Sequence, residues 1–118
     1  MDARVQAVLS LMRQSLAGEV SMLVLSKSVN LSHARLQQLF KKETGQSPLK
    51  YLRVLRMQHA ENLLLTTFLS VKEVACRSGM GDVSHFVRDF KTRYGLTPRE
   101  FRLRSELSVV HSHSGQQK

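Results

Sequence analysis

With 118 residues, 42% of them hydrophobic, the chain is long enough for one compact domain or for two very small ones sharing a core. Lys and Arg number 18 against 9 Asp and Glu, a formal charge of +9 that favours a polyanionic partner through long-range attraction and counterion release. The single cysteine, Cys76, excludes an internal disulfide and a cysteine-rich zinc site, and no apolar run reaches membrane-spanning length. The N-terminus also lacks the charged-then-apolar pattern of a secretory signal. The expectation is a soluble protein of a reducing compartment.

Val5, Val8, Leu9, Met12 and Leu16 recur at helical spacing and predict a first amphipathic helix ending near Gly18. Ser21 is placed to cap a short second helix with Leu25 and Val29 inward. Asn30 follows, where a tight turn wants a residue tolerant of positive φ. Ser32 caps a third helix carrying Leu36, Leu39 and Phe40 on one face, and Thr44-Gly45 stops it. Ser47-Pro48 then opens a breaker-free stretch to about Leu65, roughly 27 Å of helix. Its apolar residues lie on more than one side, as in a connector.

Past Thr66 to Leu69 the same sequence of signals returns. Ser70 caps a short helix through Ser78, Gly79 turns the chain, and Asp82 caps a helix that runs to Tyr94 and is stopped by Gly95. Thr97-Pro98 begins a last helix reaching about Arg104. Residues 105–118 are polar and unpatterned and predict a disordered tail. The fold expected is all-α, with about seven helices and no strand framework.

The two halves are an internal repeat. At an offset of 50, Ser32 pairs with Asp82, Leu36 with Phe86, Phe40 with Phe90, Gly45 with Gly95, Pro48 with Pro98 and Tyr51 with Phe101. Upstream the offset is 49, pairing Ser21 with Ser70, Leu25 with Val74 and Asn30 with Gly79, so the turns differ by one residue. Each half reads as capped helix, tight turn, capped helix, which is the helix-turn-helix pattern. One copy is a weak signal shared by generic helical hairpins; two at fixed offset in a basic chain are a stronger one.

The segments FKKETGQSP, RMQHAENLLL and VKEVACRSGMGDVSHFVRDFKTRYGLTPREFR resemble the DNA-binding domain of the AraC/XylS regulators, over about Val20 to Arg102. The resemblance implies two homeodomain-like helix-turn-helix subdomains, about 5–47 and 70–104, joined by a connector helix at about 48–65, within one domain spanning 1–104. It implies double-stranded DNA as partner, read by two helices in successive major grooves, and transcription regulation, usually activation through contact with RNA polymerase. The place of action would be the bacterial cytoplasm, at the nucleoid. Met80, His85 and Asn30 depart from the residues usual in the family, which leaves the geometry of the second turn open.

The helical wheel puts Ala34, Gln38 and Lys41 outward in the third helix with Gln37 lateral, and Ser84, Arg88 and Lys91 outward in the sixth with Val87 lateral. The base-reading positions implied by the resemblance are Ala34, Gln37, Gln38, Val83, Ser84 and Arg88. Gln pairs bidentately with adenine, Arg with guanine, and Ala or Val methyls meet the thymine methyl. His33, Arg35 and His85 are expected as flanking contacts. Phosphate anchoring is expected both from the helix N-termini near Ser32 and Asp82 and from the cations Lys41, Lys42, Arg56, Lys91 and Arg93 beside the recognition helices. The blander reading of each lysine is a solvated face, and of Val87 an edge of the core.

Cys76 is expected to be a core thiol, and Leu63 to Leu65 core rather than a membrane contact. His59 has no ligand partner at metal spacing, and His111 and His113 fall in the tail. Neither catalysis, cofactor nor metal is expected, since no phosphate loop, zincin pattern or oriented nucleophile occurs. The alternatives to a transcription regulator are a module attached to an alkyl-transfer repair domain and an architectural protein without base choice. The sequence is expected to be an excised C-terminal module, monomeric by itself, whose longer parent dimerises through an N-terminal domain.

Overall fold

The computed structural model describes residues 1–106 of the chain, and among them seven helices and no strand. These are α1 (Ala3–Gln14), α2 (Met22–Ser28), α3 (His33–Thr44), α4 (Pro48–Thr66), α5 (Val71–Arg77), α6 (Val83–Tyr94) and α7 (98–106). The chain divides into two compact units, Met1–Gln58 and His59–Lys118, with the division inside α4.

Short polar side chains set the helix starts. Asp2, Ser21, Ser32, Ser70 and Asp82 each accept a hydrogen bond from a backbone N–H in the first turn of the helix they precede. α7 opens on a reciprocal box: Thr97 Oγ1 accepts from the Glu100 N–H at 3.2 Å, and Glu100 Oε1 accepts from the Thr97 N–H at 3.0 Å. The bond that the Thr97 backbone N–H donates to the carboxylate, followed by the Thr97 hydroxyl nearby, holds the Glu100 pKa below its ordinary value. Gly45 and Gly95 end α3 and α6 in the left-handed region, at φ 82° and 81°, where a side chain would be strained.

In the first unit Val5, Val8, Leu9, Met12, Leu25, Leu36, Phe40 and Leu52 form one buried cluster. Phe40 meets Tyr51 edge to face at 5.5 Å. The matched pair of the second unit, Phe90 and Phe101, lies 5.3 Å apart in the same arrangement. Around Phe90 the second unit also gathers Phe86 at 5.8 Å and Tyr94 at 4.4 Å. Ala60, Leu64, Val74 and Ala75 are buried there as well.

Four expectations are corrected. α1 ends at Gln14 rather than near Gly18, because the Ser15 N–H closes the last turn on Leu11 and the chain then leaves the helix. Cys76 is exposed, not a core thiol: the buried residues of α5 are Val74 and Ala75, followed by the buried capping residue Ser78, and Cys76 falls off that stripe. Of the leucine run, Leu64 is buried but Leu65 is exposed. The tail does not begin at 105, since Ser105 and Glu106 continue α7; the rest of it, with His111 and His113, lies outside the described residues.

Candidate nucleic-acid interface

α2 with α3, and α5 with α6, are the same device built twice. The first turn bends at Asn30, the only non-glycine residue with positive φ among those described (56°), and the second at Gly79 (77°). Asn tolerates this region because its short amide bonds locally, and glycine because it lacks Cβ. After each turn a capped helix of 12 residues follows, α3 or α6, at an offset of 50.

Each of these helices is pinned by two aromatic or aliphatic residues one turn apart, Leu36 and Phe40 in α3, Phe86 and Phe90 in α6. That pinning leaves the opposite side in water. Ala34, Gln37, Gln38, Arg35, Lys41 and Lys42 are all exposed on α3, as are Ser84, His85, Arg88 and Lys91 on α6. Gln38 and Arg88 stand diametrically outward. His33 and Val83, the first residues of the two helices, lie about 140° round from them. They reach the outward side only over the helix N-termini, His33 exposed and Val83 half-buried.

Charge on these faces is largely uncompensated. Among the described residues the ion pairs are Arg4 with Asp2 and His85 with Asp89, so Arg35, Lys41, Lys42, Arg88 and Lys91 have no carboxylate within ion-pair distance. An uncompensated cation keeps its full attraction for a phosphate. The N-terminal amides of α3 and α6 add the positive end of the helix dipole at the other end of each helix from Lys41, Lys42 and Lys91, which lie in the last turns.

Two of the cations expected at phosphates are not part of this arrangement. Arg56 is half-buried on α4, its Nε donating to the Leu16 carbonyl at 3.1 Å and its Nη2 to the Gly18 carbonyl at 3.1 Å. It ties down the loop after α1, whose carbonyls have no helical partner, and its burial lowers the guanidinium pKa. Arg93 is exposed, but its guanidinium lies over the Tyr94 ring at 5.7 Å and about 140° round the helix from Arg88. Removing the Arg56 side chain (Arg56→Ala) is expected to lower the unfolding free energy by about 1.5–3 kcal/mol, the range for hydrogen bonds to a charged group. Urea unfolding checks it; a midpoint equal to that of the unsubstituted chain would return Arg56 to the surface cations.

One polar residue of this surface was not singled out from the sequence. Asp89 sits half-exposed beside the outward face of α6, within 3.4 Å of His85 one turn earlier. The spacing of an acid four residues after a histidine was the signal available.

The description "Helix-turn-helix domain" belongs to the family whose model matches residues 25–104. The HTH-type transcriptional activator RhaS of Enterobacter sp. (strain 638) is 34% identical over 108 residues, which cover 92% of this chain and 39% of that protein. The chain thus spans well under half the length of such curated relatives. A transcriptional regulator from Chromobacterium violaceum, described as having an AraC-type DNA-binding domain, superposes with a TM-score of 0.79 at 28% identity, covering 86% of this chain and 91% of that one. The DNA-binding domain of AdpA, a global transcriptional factor solved in complex with a target DNA, superposes at 0.83 with 25% identity over 92% and 96% of the two chains.

Proposed function

The chain belongs to the AraC/XylS family of helix-turn-helix DNA-binding domains, and from that premise we propose that it binds double-stranded DNA sequence-specifically and regulates transcription. The observation that carries this reading is the twofold occurrence of a pinned, capped helix whose outward side bears uncompensated cations, joined on α3 by the amides of Gln37 and Gln38. In this reading α3 and α6 enter successive major grooves. Gln37 and Gln38 read hydrogen-bonding edges, Arg88 reads guanine, and Ala34, Ser84 and Val83 make the short-range contacts. Lys41, Lys42 and Lys91 hold phosphates, with His33, Arg35 and His85 at the flanks.

The relatives bear the names of transcription regulators, which favours regulation over the repair-linked and architectural alternatives. Activation, contact with RNA polymerase, monomeric action of this chain and a cytoplasmic site of action complete the proposal. No described helix is long and apolar enough to cross a membrane.

Titration of a selected duplex against an excess of unrelated duplex tests specificity. A base reader keeps about a thousandfold preference or more for its site, and equal competition by unrelated DNA would reduce the protein to a non-specific binder. Phosphate and base contacts separate in a second experiment. Lys41→Ala is expected to weaken all sequences alike and to lower the slope of log affinity against log salt by about one unit. An unchanged slope takes Lys41 off the phosphate list.

A further inference from the structure

Asp89 is the only acidic residue within α6, on a helix otherwise carrying His85, Arg88, Lys91 and Arg93. The matched edge of α3 has Arg35 and Leu39, a permanent cation with no acid beside it. A carboxylate next to a surface that meets a polyanion opposes binding, so its position calls for a compensating role. Its Oδ2 lies 3.4 Å from His85 Nε2, and both side chains remain open to solvent, 63% for His85 and 39% for Asp89. In free protein such an exposed pair is weak. It tightens once a ligand excludes the water around it.

A neutral imidazole has one donor and one acceptor nitrogen, and the partner of one decides the character of the other. The carboxylate, an acceptor only, lies 3.4 Å from Nε2 and is not aligned as a hydrogen bond in the free protein. Closing of the pair against DNA places the proton on Nε2 and leaves Nδ1 as an acceptor. We propose that Asp89 is a positioning residue that presents His85 to the base edges as a hydrogen-bond acceptor. The second unit then selects an amino group, adenine N6 or cytosine N4, beside the base read by Arg88. Guanine and thymine offer only acceptors at the corresponding major-groove position and are rejected there. The inference rests on the reading that α6 enters the major groove.

The test is binding-site selection from random duplexes at pH 8, above the range in which imidazoles ordinarily take up a proton. The 118-residue chain is compared with its His85→Phe, Asp89→Asn and Arg88→Ala variants, with thermal unfolding as the check that each is folded. The unsubstituted chain is expected to enrich adenine or cytosine about tenfold or more in one column, next to the column that Arg88→Ala erases. His85→Phe should flatten that column alone. Asp89→Asn, which permits either tautomer, should admit guanine and thymine there and leave the other columns standing. A column that survives both His85→Phe and Asp89→Asn overturns the proposal while leaving DNA recognition intact. One that falls with His85→Phe but survives Asp89→Asn removes Asp89 from the role. If the unsubstituted chain enriches no sequence, the reading of DNA recognition fails, and this inference with it.

Discussion

Phe90→Ala is expected to remove about 3–5 kcal/mol from the second unit, the cost of emptying a buried phenylalanine site. Phe90 is fully buried and has Phe86, Tyr94 and Phe101 around its ring. Those neighbours are on α6 and α7, and three aromatic rings cannot collapse far into the void that the side chain leaves. Small domains hold only about 5–15 kcal/mol in all, so the loss takes the second unit close to unfolding. The chain has no tryptophan and two tyrosines, Tyr51 in the first unit and Tyr94 in the second. In a Tyr51→Phe background, tyrosine emission therefore reports the second unit alone, and its denaturant midpoint should drop steeply. Phe68→Ala is the matched control. That ring is 101% exposed, and its removal should change stability by less than about 0.5 kcal/mol. Equal effects at the two positions would mean that the core of the second unit is not centred on Phe90.

Arg88→Ala is expected to do the reverse, leaving stability alone and removing recognition. The side chain is exposed and opposite the buried face of α6, with no ion partner among the described residues, so the fold does not depend on it. A bidentate contact to guanine is worth about 1–3 kcal/mol of discrimination, which raises the dissociation constant for the specific site about 5- to 150-fold. Competition binding with duplexes differing at single base pairs shows whether the loss is local. A uniform loss over all sequences would make Arg88 a phosphate contact instead of a base reader.

How much of this was legible beforehand depends on the physical range of each feature. Caps and stops are written within four residues of where they act. Ser21, Ser32, Ser70, Asp82 and the positive-φ positions Asn30, Gly79, Gly45 and Gly95 could therefore be read directly and stand as expected. The repeat carried the pinned helices from one unit to the other, and the exposed faces of α3 and α6 follow from the 3.6-residue period.

Features that depend on a partner 38 to 40 residues away were not legible. Arg56 looked like any other surface cation until Leu16 and Gly18 proved to be its acceptors. In the second unit the comparable tie is made by Arg102, whose Nε donates to the Leu64 carbonyl at 3.2 Å. Arg56 and Arg102 are not at matched positions, so the repeat could not reveal either one. Burial of single residues on short helices failed for a related reason. Cys76 follows two buried neighbours, and one further residue, about 100° of rotation, carries it into solvent.

In the proposed reading the polyanionic partner that the net charge favours is duplex DNA, met by two particular helices, α3 and α6. Hydroxyl-radical protection of a selected duplex by the 118-residue chain tests that reading most directly. Two protected patches roughly 34 Å apart, of unlike base sequence and saturated by one chain per duplex, are what paired reading by α3 and α6 predicts. A palindromic site that fills only with two chains, or protection that unrelated DNA abolishes equally well, would contradict it.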